Sequence, residues 1–250
     1  MLRFMPPRVT LGQAGACRAR GAAALACGVL VIACVQRFDG NGVLVEEARA
    51  ARDFERVTAS GGLDLTVSEG EFAVTVRIDE NLQPYVRTSV QGGTLRVSVD
   101  DGNIGDKLPG PHVLISMPAL RDAETAGPGG VSAEGFVSEG PVSLELTGSG
   151  RLRWSGSAGA LDAVLAGSGE LAIEGSAESA VLLLRGSGAL DARDLTASGA
   201  RIEVDGSGNV SATVNGSVDA RVEGSGTVDL YGRVIAGEFE PPDEDVISVH

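Results

Sequence analysis

The chain has 250 residues, with 20 Lys and Arg against 34 Asp and Glu, and a formal charge of −14. A polyanion of this kind repels nucleic acid and anionic membrane surfaces, so neither is an expected partner of the fold itself. Three cysteines and two histidines, scattered without metal-ligand spacing, give no reason to expect a metal or another cofactor.

Residues 1–34 carry Arg3, Arg8, Arg18 and Arg20 and no acid, then run apolar from Gly21 to Ala33. Positive charge followed by a short apolar run is the order of a secretory signal, and the run is too short to span a bilayer comfortably. It ends Val31-Ile32-Ala33-Cys34, which resembles a bacterial lipoprotein cleavage box with Cys34 as the lipidated first residue. Ala24-Leu25-Ala26-Cys27 is a weaker second candidate. Cleavage before Cys34 removes Cys17 and Cys27, so the mature chain forms no internal disulfide. An exported, cell-envelope location follows, with membrane contact only through a lipid anchor or an uncleaved signal.

Residues 35–51, with Asp39-Gly40-Asn41-Gly42 and Glu46-Glu47, read as a flexible linker. From 52 to 126 the alternation Leu63/Leu65/Val67, then Phe72/Val74/Val76/Ile78, Leu95/Val97/Val99 and Val113/Ile115/Met117 predicts strands. Ser60-Gly61-Gly62 and Gly127-Pro128-Gly129 look like eroded copies of a motif that dominates the next segment. This N-terminal β lobe is expected to continue or cap the stack that follows, because exposed ends of such a stack invite edge pairing.

Residues 127–232 are organised by one tripeptide. It occurs as Gly148-Ser149-Gly150, Gly167-Ser168-Gly169, Gly186-Ser187-Gly188, Gly206-Ser207-Gly208 and Gly224-Ser225-Gly226, at intervals of 19, 19, 20 and 18 residues. A fixed period near 19 means one structural unit stacked on copies of itself. Before each motif the second, fourth and sixth residues are apolar, as in Val142/Leu144/Leu146 and Leu161/Ala163/Leu165. After it the pattern resumes at Leu152/Trp154, Leu171/Ile173, Leu190/Ala192, Val210/Ala212 and Val228/Leu230. Period two on both sides of a Gly-rich bend reads as strand, corner, strand. A helix is excluded because two glycines per unit would cost about 1 kcal/mol each against alanine. The fold class is therefore all-β, a β-solenoid with repeats of about 19 residues, its corners built by the five tripeptides. Residues 233–250, with Glu238, Glu240, Pro241-Pro242 and Asp243-Glu244-Asp245, read as an acidic disordered tail.

The chemistry of catalysis is sparse. Five equivalent serines argue for a scaffold role, since a nucleophilic serine needs a base and none recurs beside them. His112 and His250 stand apart, and no helix follows the glycines to complete a phosphate cradle. Asp162, Arg185, Arg201 and Asp219 are the outward charges from which a sugar-cleaving cleft would have to be built, and nothing in the pattern favours them over ordinary surface charge. Trp154 falls in the inward register. No catalytic residue is assigned, and the chain is read as not an enzyme.

One outward feature departs from the charged pattern. Val164, Val181 and Leu183 occupy solvent-side positions on adjacent coils and form an apolar patch. Such a patch marks a contact surface, or else the N-terminal lobe covers it.

The run from Phe54-Glu55-Arg56-Val57 through Asp79-Glu80-Asn81-Leu82 and Gly92-Gly93-Thr94-Leu95 to the serial Gly-Ser-Gly motifs resembles the bacterial head GIN domain of auto-transporter adhesins. The resemblance covers roughly residues 54–232. It implies a right-handed β-helix, exported and often lipid-anchored, without recognised catalytic residues. The function expected is a non-enzymatic envelope scaffold or adhesin, with an envelope or surface protein or a glycan as partner. The alternatives are a structural or sensory lipoprotein docked on another envelope component, and a degenerate carbohydrate-active β-helix.

Overall fold

The structure, a computed structural model, describes residues 39–99, 110–240 and 246–250. Residues 1–34, with Cys34, lie outside the described residues.

The strands are β1 (Leu44–Arg49), β2 (Arg56–Ser60), β3 (Asp64–Glu69), β4 (Ala73–Asp79), β5 (Val86–Gln91), β6 (Thr94–Val99), β7 (His112–Met117), β8 (Asp122–Gly127) and β9 (Gly130–Val137). They continue with β10 (Pro141–Gly148), β11 (Arg151–Gly167), β12 (Glu170–Gly186), β13 (Ala189–Gly206), β14 (Asn209–Gly224), β15 (Thr227–Tyr231), β16 (Ile235–Glu240) and β17 (Ile247–Val249). A 3-10 turn, Glu80–Tyr85, joins β4 to β5.

These strands build two walls of a β-solenoid. The first wall runs β6, β2, β8, β10 and then the C-terminal halves of β11 to β14, all parallel, and ends on β16. The second runs β7, β3, β9, then the N-terminal halves of β11 to β14, β15 and β17. Antiparallel strands close the N-terminal end: β5 on β6, and β4 followed by β1 on β7. The N-terminal lobe thus both begins the stack and caps it. Its order is not sequential, because the β2–β3 coil sits between β6–β7 and β8–β9.

The interior follows the period-two pattern. Of the fifteen apolar positions before the corners all are buried except Ala200, which is half-buried. The ten positions after the corners, Trp154 included, are buried without exception. Each unit alone would leave this apolar edge in water, and stacking joins the edges into one core.

The corner geometry explains both glycines. The first adopts positive φ in every copy, from +116° at Gly224 to +134° at Gly167 and Gly206. Its carbonyl accepts two hydrogen bonds from the next coil: Gly167 O accepts from the N–H of Ser187 at 2.9 Å and of Gly188 at 3.0 Å. The third glycine lies so close to the coil before it that a Cβ on Gly188 would stand 2.6 Å from Gly169 O. Gly61 (φ +94°) and Gly127 (φ +114°) continue the same column, so the eroded motifs are true corners. The five serine hydroxyls are exposed and make no hydrogen bond among the described residues; in Ser168, Ser187, Ser207 and Ser225 it is the N–H, not the side chain, that bonds to the coil before.

The uneven intervals of 20 and 18 residues are absorbed at the opposite edge. Register shifts fall between Ala172 and Glu174 on β12, and between Ala192 and Thr196 and Ala197 and Gly199 on β13. The corners themselves stay aligned, with Gly186 opposite Gly206 and Gly206 opposite Gly224.

Two segment readings need correction. The stretch 35–51 is not wholly a linker, since β1 pairs with β4 over six residues. Gln83, itself buried, fixes it there: its Nε2 donates to Val45 O and Val76 O, while Arg49 Nη2 donates to Gln83 O and Oε1. The stretch 233–250 is not wholly a disordered tail, since β16 and β17 add one further layer to the two walls. Acidic composition misled there, because Phe239 and Ile247 still pack on the core while Glu238 and Glu240 face solvent.

Candidate functional site

The solvent side of the first wall carries the candidate site. Parallel pairing aligns equivalent outward side chains, so they stand in columns whose successive members are about 4.8 Å apart. One column reads Arg56, Asp122, Ser143, Asp162, Val181, Arg201, Asp219. The next reads Thr58, Glu124, Glu145, Val164, Leu183, Glu203, Arg221. Val164 and Leu183 are therefore direct neighbours, and Val181 lies one column over on the coil of Leu183. All three are half-buried. The N-terminal lobe extends the same walls at one end, so these side chains keep solvent contact.

Toward the N-terminal end the patch is bordered by carboxylates. Glu124 pairs in register with Glu145 and accepts a hydrogen bond from Thr58 at 3.2 Å. Asp122 has its pKa raised by partial burial and by Glu124, against the opposing charge of Arg56.

Toward the C-terminal end arginines alternate with acids. Arg201 binds Glu203 at 2.5 Å, and Arg221 binds Glu223 at 2.6 Å and Glu240 at 3.3 Å. The hydrogen bond to Glu223 raises the pKa of Arg221 further. A groove of about 190 Å³ runs between Arg201, Glu203, Asp219, Arg221, Glu238 and Glu240. A second, of about 150 Å³, is lined by Leu183, Arg185, Glu203, Asp205, Arg221 and Glu223 and reaches the patch.

The wall presents hydrogen-bonding groups around an apolar centre, and it does not bring together Asp162 and Asp219, the two acids from which a sugar-cleaving cleft would have to be built. Asp162 and Asp219 share a column but are separated by three coils, roughly 14 Å. Glycoside cleavage needs two carboxyl groups about 5–9.5 Å apart. Arg201 stands next to Asp219, while Arg185 lies two columns over, aligned with Ala166 and Asp205.

The histidines are engaged elsewhere. His112 Nε2 is 3.0 Å from Thr66 Oγ1 on the second wall, and His250 stacks on Tyr231 with its Nε2 3.5 Å from Asp229. Tyr85 and Tyr231 are half-buried rather than free. Trp154 is 1% exposed, and its Nε1 has no hydrogen-bond partner among the described residues. Among the described residues no three His, Cys, Asp or Glu side chains gather where they could hold a metal ion. The feature that sequence reasoning missed is a hollow beside Phe72, which alternation alone places in the core.

Fold and surface together define a class: a parallel β-solenoid with Gly-Ser-Gly corners, an antiparallel N-terminal cap and a long columned outer wall. The chain belongs to the family described as putative auto-transporter adhesin, head GIN domain, whose model matches residues 53–233. Solved structures share the fold. A putative adhesin from Bacteroides fragilis superposes with a TM-score of 0.76 at 20% identity, covering 81% of this chain and 94% of that one. A putative lipid binding protein from Parabacteroides distasonis gives 0.66 at 23% identity, covering 86% and 97%. A putative adhesin from Parabacteroides merdae gives 0.61 at 18% identity, covering 86% and 98%. No curated protein matches the chain.

Proposed function

We propose that this chain is a non-enzymatic, exported β-solenoid of the cell envelope that serves as an adhesin or protein-interaction scaffold, tethered through a lipid on Cys34. The observation that carries the reading is the half-exposed apolar group Val164, Val181 and Leu183 in the middle of an otherwise charged wall. Apolar side chains on a flat, rigid sheet contribute to binding when a partner covers them, and the charged columns around them set its orientation. Family membership supports the adhesive part, and the charge-then-apolar leader ending at Cys34 supports export and anchoring.

Two experiments test it. In a bacterial host the full chain incorporates labelled palmitate in a globomycin-sensitive way, and Cys34→Ala abolishes the label; persistent labelling of that variant refutes the anchor at Cys34. Purified protein adheres to bacterial surfaces, and changing Val164, Val181 and Leu183 together to serine weakens adherence about tenfold or more without altering the far-UV spectrum. Undiminished adherence refutes the patch, and release of shortened glycan products refutes the non-enzymatic reading.

A further inference from the structure

We propose that the hollow beside Phe72 receives a cationic side chain, an arginine carried on a loop of a partner protein. The proposal rests on the reading of the chain as an interaction scaffold, and places a second contact on the cap. The hollow, a shallow depression open to solvent, is lined by Glu69, Gly70, Glu71, Phe72 and Pro118. It forms where the turn between β3 and β4 meets the residue after β7.

Its floor is apolar. Phe72 continues the alternation of Val74, Val76 and Ile78, which are buried, yet it remains half-buried. Phe54 holds its ring, with centroids 5.0 Å apart and planes tilted by 50°. Pro118, exposed, supplies a second apolar surface. Gly70 brings the turn close to β7: a Cβ there would stand 2.5 Å from Ser116 Oγ, while Gly70 N–H donates to Met117 O at 2.9 Å.

Its rim is negative and uncompensated. Glu69 and Glu71 are both exposed, and among the described residues neither carboxylate makes an ion pair or a hydrogen bond. Two carboxylates over an aromatic and a proline surface ask for one kind of group. A guanidinium is planar and weakly hydrated, lies on aromatic faces, and forks its N–H donors to carboxylate oxygens. A purely apolar ligand would desolvate both carboxylates without return, and an anion would be repelled. The net charge of −14 also draws basic partner surfaces toward the molecule.

The test titrates the full chain with N-acetyl-argininamide and follows the backbone amide of Gly70 and the ring signals of Phe72 by NMR. A saturable change at both is expected. The citrulline analogue, equal in shape but neutral, binds about tenfold more weakly or worse. The double variant Glu69→Gln with Glu71→Gln, which alters only exposed groups, loses arginine binding to the same degree. Equal binding of citrulline, arginine binding retained by the double variant, or no saturable change at Gly70 overturns the proposal. Cell-surface adherence separates it from the broader reading. Arginine binding by a protein that adheres to nothing refutes the adhesive function and leaves the hollow standing, whereas adherence with no arginine binding refutes the hollow alone.

Discussion

Replacing Gly186 by alanine is the sharpest test of how the corners hold the solenoid. Gly186 has φ +123°, so an alanine there is strained by about 1–3 kcal/mol before any contact is counted. Its Cβ would also run into the carbonyl oxygen of Gly167, the acceptor for the N–H groups of Ser187 and Gly188. Relieving that overlap separates the coils and weakens both hydrogen bonds, each worth about 0.5–1.5 kcal/mol. The expected loss is therefore about 2–6 kcal/mol. Ser187→Ala is the control, expected within about 0.5 kcal/mol of the parent because its exposed hydroxyl has no partner among the described residues. Urea melts followed by far-UV circular dichroism measure both. Amide hydrogen exchange should show the coils flanking residue 186 opening first, as nearest-neighbour coupling requires. A Gly186→Ala protein melting within about 1 kcal/mol of the parent, or a Ser187→Ala protein equally damaged, would refute the account of the corner.

Gln83→Ala removes the buried amide that joins β1 to the cap, with an expected cost of about 1–3 kcal/mol and faster exchange along residues 44–49; unchanged protection there would show that β1 is held by other means. Asp122→Asn should raise the melting temperature at neutral pH, because the folded state raises this carboxyl's pKa above its ordinary 3.8 and the charged form therefore destabilises the fold. The gain should shrink as pH falls through the raised pKa and vanish below 3.8, and a gain that persists in acid would contradict the assignment. Truncation after Gly232 removes β16 and β17 and bares the edges of β14 and β15. Light scattering should then report concentration-dependent association, which a strictly monomeric truncated protein would disprove.

The repeat region was legible because its corners impose one demand at every coil. Positive φ and close backbone approach admit only glycine at Gly167 or Gly188, and the interior admits only apolar side chains at positions such as Leu165 and Leu184. Even the weakened corners at Gly61 and Gly127 kept enough of that chemistry to be found. What escaped were elements stabilised by distant partners. β1 pairs with β4 some thirty residues away and exposes most of its side chains, so it has no apolar stripe to announce it. β16 is acidic and bulged: the carboxylate of Asp219 replaces a carbonyl and accepts the N–H of Glu238 at 2.9 Å. The position of the β2–β3 coil is a matter of which edge each strand meets, and alternation within a strand says nothing about that. Of the candidate site, the patch of Val164, Val181 and Leu183 was readable from register alone. The hollow at Phe72 was not, because alternation assigns a face but cannot tell how far the neighbouring turn reaches over it.

The bulges of β12 and β13 have a bearing on how such a molecule diversifies. By taking up an extra or missing residue at the edge away from the glycine corners, they let coils differ in length while the spine stays in step. Duplication or loss of a whole coil should be tolerated on the same ground, moving the cap and the last layer apart or together in increments of about 4.8 Å. Lineages could then adjust the separation of two contact points as on a ruler, leaving the chemistry of each untouched.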